Sequence, residues 1–214
     1  MVELQIAAFS TETRNATLAK LGQSLGLASG NLAKNEFGKP FLQTPSGNSC
    51  GLAITHIRHA VIPFSLMVAS KHANIGLDAE IWPRGLGDDI FLRSIMAPEE
   101  IILAKAISQQ GCDAGIFLWV GKEAALKASG QVMVDPRDVA LTHVGRNLHR
   151  SVTSKSATVK VLETTVAFFT LIAETGEKIL VATAVGDSPQ PIQVIEIADV
   201  GKLLNLAPFN LNLS

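Results

Sequence analysis

Strand-like and helical segments along this chain are clustered rather than strictly alternating, which disfavours a doubly wound parallel fold. Val2 to Phe9 is rich in β-compatible residues. Ser10-Thr11 then offers capping oxygens to a helix whose Leu18, Leu21 and Leu25 recur at helical spacing and which stops at Gly26. Residues 30–48 read as loop, and 52–57, 64–69 and 74–80 as strands, the last broken by Trp82-Pro83-Arg84-Gly85. The texture then turns helical. Pro98 with Glu99 and Glu100 opens one helix that Gly111 closes, and Asp113 caps a second that Gly130 ends. Strands return at 132–134, 139–144, 159–162, 166–173 and 178–185, the last two joined by a Thr175-Gly176 turn. The tail after Gly186 is expected to drape over the surface, with a helical turn or two at 198–204. This order predicts an α+β fold with mainly antiparallel sheet.

Bulk properties narrow the function classes. With 214 residues, 47% hydrophobic, the chain is long enough to bury a continuous core in one domain or two packed halves. Eighteen basic against 19 acidic side chains leave a net charge of −1, so no overall field favours nucleic acid or anionic lipid, and any phosphate binding must be local. Cys50 and Cys112 are too few for a disulfide framework, which fits a reducing compartment. No basic region precedes a hydrophobic run at the N-terminus, and no apolar stretch approaches the roughly 20 residues of a membrane-spanning helix. A cytoplasmic protein is expected.

The residues with chemistry are few. Asp78 and Glu80, two apart on a predicted strand, project from one face and can grip one ion together. Glu123 and Lys127 lie four apart on a predicted helix, a spacing shared with ordinary surface ion pairs worth only about 0.2–0.5 kcal/mol. Phe117, Leu118, Trp119, Ala124, Ala125 and Leu126 surround them, however, which implies a largely buried helix whose charges need partners. Three carboxylates with no nearby cysteine suit a hard cation, magnesium or manganese.

The pattern Ile75-Gly76-Leu77-Asp78-Ala79-Glu80, followed by Trp119-x-x-Lys122-Glu123-Ala124-x-x-Lys127, resembles the 4′-phosphopantetheinyl transferase superfamily. Gly38-Lys39-Pro40-Phe41 and Ile54-Thr55-His56 are similar to two further signatures of that family, and the stretch from Phe91 to Glu100 to a fourth. The likeness covers about residues 35–185. In length it is nearer to the larger, monomeric, surfactin-synthetase-activating type, built of two pseudo-twofold halves with the active site between them. It implies a shortened N-terminal half, 1–74, and a C-terminal half, 75–214, carrying the metal-site motifs.

The resemblance further implies transfer of the phosphopantetheine arm of coenzyme A to a serine of an acyl or peptidyl carrier protein, with release of 3′,5′-adenosine diphosphate. Asp78, Glu80 and Glu123 would hold Mg²⁺, or Mn²⁺. Glu123 would serve as base, Lys127 would reach the diphosphate, and His56 and Thr55 would contact a coenzyme A phosphate. Lys39 and Pro40 would lie near the adenine or ribose phosphate, and Arg14 matches an arginine that binds the 3′-phosphate. The second signature serine is Ile57 here, and a basic helix of the larger members is missing before Gly38. The alternative is a divergent, non-catalytic module that binds coenzyme A or docks a carrier.

Overall fold

The computed structural model describes residues 2–10, 12–27, 31–36, 38–43, 47, 49–57, 64–72, 74–82, 89–109, 111–131, 134–141, 150–154, 164–173, 177–186, 192–196 and 204–208. The elements run β1 (Val2–Phe9), α1 (Arg14–Ser24), β2 (Asn31–Lys34), β3 (Pro40–Gln43), β4 (Ser49–Ile57), β5 (Phe64–Ser70) and β6 (Ile75–Trp82). Next come α2 (Asp89–Ile95), a 3₁₀ turn (Pro98–Glu100), α3 (Ile101–Gln109), α4 (Ala114–Ser129) and a second 3₁₀ turn (Pro136–Asp138). The chain finishes with β7 (Val139–Leu141), β8 (Arg150–Ser154), β9 (Thr164–Ala173), β10 (Lys178–Gly186), β11 (Ile192–Glu196) and β12 (Leu204–Pro208).

Two sheets result. The first has the order β11-β1-β5-β4-β3-β2, and the second β6-β10-β9-β8-β7 with β12 also paired to β9. Among the described residues every pairing is antiparallel except β1 with β11. The fold is thus α+β, as the clustered strands predict.

Strand alternation explains the layering. On β1, Val2, Leu4 and Ile6 join a core shared with Ile75, Leu77 and Ala79 of β6 and with Ile179 and Val181 of β10, so the two sheets face one another. The opposite parity of the first sheet, Ala7, Phe9, Leu52 and Met67, packs on Leu18 and Leu21 of α1. The opposite parity of the second sheet, Val166, Phe168, Leu180, Ala182 and Ala184, packs on α3 and α4. The layers are therefore helix, sheet, sheet and helix.

Two expectations fail here. Residues 30–48 contain β2 and β3, whose four-residue strands carry Asn, Lys, Pro and Gln and take their strand geometry from pairing with each other and with β4. Within the tail, two described segments are sheet strands where a drape was expected: 192–196 adds a parallel strand beside β1, and 204–208 pairs with β9. The partner of 192–196 lies 190 residues away in sequence, so no local pattern could announce the pairing. The strand expected at 159–162, most of the turns expected at 198–204, the Thr175-Gly176 turn, and residues 132–133 and 142–144 lie outside the described residues.

Candidate active site

Helix α4 carries the second motif, and its ends follow local rules. Asp113 Oδ1 accepts from the Ile116 amide at 3.0 Å, and Gly130 closes the helix in the left-handed conformation at φ 71°. Both caps match the sequence reading. Between them Gly121, Ala124, Ala125 and Ala128 leave one face nearly without side chains, so α4 can approach β6 closely. A Cβ added at Gly76 would stand 2.6 Å from the Ala128 amide nitrogen, and closer still to the Ala124 carbonyl oxygen. Glycine at 76 is thus what lets strand and helix backbones touch.

That contact brings the predicted residues together. Gly76, Asp78 and Glu80 share the face of β6 opposite to Ile75, Leu77 and Ala79, the face on which α4 lies. Lys127 Nζ stands 2.6 Å from Asp78 Oδ1, which also accepts a 3.2 Å hydrogen bond from the Thr55 hydroxyl. Thr55 belongs to the first sheet and Asp78 to the second, so this bond ties the two sheets at the site. Asp78 is buried while Lys127 is 37% exposed, so the amine can swing toward solvent and the carboxylate cannot.

Electrostatics mark the same place. Burial pushes the Asp78 carboxyl above the usual carboxylate range, against the pull of the Lys127 charge and hydrogen bond, the Thr55 hydroxyl and the Ala79 amide. Glu123 is also raised, first by burial and then by the negative charge of Asp78, with Lys127 opposing. Two carboxylates therefore feel one another and share one ammonium. Among the described residues Glu123 makes no hydrogen bond, so its oxygens remain open to a proton or a cation.

The donor set fits a hard divalent cation in kind, being carboxylate oxygen throughout, with mutual repulsion that added positive charge would relieve. Its geometry as folded is looser. Among the described residues no three His, Cys, Asp or Glu side chains are gathered closely enough to hold a metal ion, and the resident cation on Asp78 is Lys127.

The other predicted residues stand apart. Successive residues of a strand face opposite ways, so while Thr55 reaches Asp78, His56 is exposed and its Nδ1 lies 2.6 Å from Ser65 Oγ on β5. Arg14 is exposed at the start of α1. Lys39 Nζ donates to the Ala128 carbonyl at 2.9 Å, completing the C-terminal end of α4 from the first sheet, and burial lowers its pKa. Lys39 and Pro40 also line a cleft of about 210 Å³ with Asn35, Phe41, Ser49, Cys50, Gly51 and Asn74.

One pair escaped the sequence reading. Lys122, 1% exposed, lies 2.6 Å from Glu100 Oε2, and Glu100 is fully buried. A lysine set among apolar residues of a largely buried helix was the available signal, since a buried ammonium requires an acid. No protein-family model matches this chain, and no curated protein matches it. Among the described residues no helix is long and apolar enough to cross a membrane.

Proposed function

We propose that this chain is a magnesium-dependent 4′-phosphopantetheinyl transferase that moves the phosphopantetheine arm of coenzyme A to a serine of an acyl or peptidyl carrier protein. The observation that carries the reading is the convergence of Asp78, Glu123 and Lys127, residues of two separate motifs, at one place on the α4 face of β6. Thr55, from a third motif, joins them. In this reading the two sheets with their helices are the pseudo-twofold halves, the site lies between them, and the protein works as a cytoplasmic monomer.

Glu123, raised in pKa and without a hydrogen bond, accepts the proton of the carrier serine hydroxyl. The serine oxygen then bonds to the β-phosphorus of coenzyme A as the bond from that phosphorus to the bridging diphosphate oxygen breaks, and 3′,5′-adenosine diphosphate departs. Lys127, with its exposed flank, turns its ammonium to the diphosphate and offsets the charge gathering on the leaving oxygens. Asp78, Glu80 and Glu123 are the residues that would hold Mg²⁺ or Mn²⁺, and the ion, when bound, neutralises diphosphate charge. The cleft beside Lys39 and Pro40 is assigned to the nucleotide end of coenzyme A.

One observation favours a second reading, a non-catalytic coenzyme A-binding or carrier-docking module: the three acids are not gathered as a formed metal site. Mass spectrometry of apo-carriers incubated with the protein, coenzyme A and magnesium separates the two. A gain of one phosphopantetheine, lost with chelator and restored by magnesium or manganese, supports the transferase. Unchanged mass across fatty acid, polyketide and peptide carriers, with coenzyme A still bound, supports the module.

A further inference from the structure

Glu123 has no hydrogen bond of its own among the described residues, so the aim of its carboxylate is inherited from the position of α4. One flank of α4 is set by the backbone contact at Gly76. The neighbouring residue, Lys122, holds another. Its ammonium donates to Ile95 O at 2.6 Å and to Pro136 O at 2.9 Å and meets Glu100 Oε2 at 2.6 Å. Glu100 in turn accepts the Ala97 amide on Oε2 and the Leu141 amide on Oε1, each at 2.8 Å. Five polar contacts thus join α4 to the end of α2, the turn before α3 and the segment from 136 to 141. Every member of the pair is satisfied.

Burial of two charges costs desolvation that their attraction offsets only when the geometry is good, so such a pair is weak evidence for stability and better suited to specifying an arrangement. Arrangement matters here because a helix rotates about its own axis. With Cα at about 2.3 Å and a glutamate carboxyl at roughly 6 Å from that axis, a turn of about 15° sweeps the Glu123 carboxylate by about 1.5 Å. Misplacement by about 1 Å can lower a rate on the order of 100-fold.

We propose that Glu100 and Lys122 are positioning residues: their buried pair fixes the rotation of α4, so that Glu123 and Lys127 are presented together to Asp78. The proposal rests on the transferase reading for its kinetic consequence but not for its geometry. Its test is the double variant Glu100→Gln/Lys122→Met, which removes both charges while an amide oxygen still accepts a backbone N–H.

Assayed at a temperature where circular dichroism shows it fully folded, the variant is expected to lose 10- to 100-fold in kcat for carrier labelling, with KM for coenzyme A changed less than about twofold. A purely structural pair would leave kcat per folded molecule untouched, and that result overturns the proposal. Glu100→Gln alone, which keeps the shape of the side chain and one of its two acceptor contacts while removing the charge, answers the same question if the double variant does not fold. A crystal structure gives an arm independent of activity. The Lys127–Asp78 contact, 2.6 Å in the wild type, is expected to open, and an intact contact in a folded variant overturns the proposal. A wild type that labels no carrier removes the transferase reading, and the crystallographic arm then decides the positioning.

Discussion

Replacing Gly76 by alanine tests the close approach of the β6 and α4 backbones, on which the candidate site depends. The new Cβ would lie within 3.0 Å of three backbone atoms of α4, the Ala124 carbonyl carbon and oxygen and the Ala128 nitrogen, a separation that real Cβ atoms essentially never show. No rotamer change relieves a clash with backbone, so strand and helix must separate. Overpacking of a well-packed core costs typically about 1–3 kcal/mol, and a clash with helix backbone belongs at the upper end, about 3 kcal/mol. With a urea m-value of about 2 kcal/mol/M, the unfolding midpoint followed by circular dichroism should fall by about 1.5 M.

Gly121→Ala supplies the comparison. Its Cβ would meet Phe168 Cζ at 2.6 Å and Leu141 Cδ1 at 3.0 Å, which are side-chain ends that can yield. Helix propensity also favours alanine over glycine by about 1 kcal/mol there. Gly121→Ala should therefore destabilise much less than Gly76→Ala. Equal midpoints for the two variants, or an unchanged midpoint for Gly76→Ala, would refute the direct packing of α4 on β6.

Glu123→Gln should abolish carrier labelling yet raise stability at neutral pH. A carboxyl whose folded pKa is raised favours the folded state below its unfolded value and costs stability as pH rises through the folded value, so the variant's advantage should vanish on acidification, read from thermal midpoints at pH 4 and 7. Lys127→Ala leaves the buried Asp78 without its ammonium partner and should lower both the thermal midpoint and labelling, whereas a wild-type midpoint would show that the 2.6 Å pair contributes nothing. Gly130→Ala meets no atom within 4 Å, so its cost should be purely that of φ 71°, about 1 kcal/mol by denaturant titration. Phe117→Ala, which removes a ring stacked 4.1 Å from Phe168, should cost about 3–5 kcal/mol in the same titration.

Much of the second half was legible before any coordinates. Asp113, Gly130 and the apolar surround of residues 117–126 define α4 by short-range chemistry, and the structure reproduces both caps. The antiparallel pairing of β9 and β10 was equally visible, because two neighbouring apolar runs separated by Thr175-Gly176 read as strands that pair with each other. The first-half strands β2 and β3 were hidden for the converse reason: their polar composition says loop, and only pairing with β4 makes them sheet. At the site, Asp78, Glu80, Glu123 and Lys127 were identified as chemistry-bearing residues from two motifs. The opposed directions of Thr55 and His56 follow from strand period, but which of them meets Asp78 does not.

Caps, periodicities and the spacing of acids are interactions over a few residues, and the chain alone specifies them through backbone sterics and side-chain reach. Partnership across long separations obeys no such local rule. Glycine at 76 opposite the alanines of α4, Glu100 beneath Lys122, and residues 192–196 beside β1 depend on how buried surfaces pack and on which buried polar group must find a counterpart. Folding settled those matches, and with them the direction in which the acids of the candidate site point.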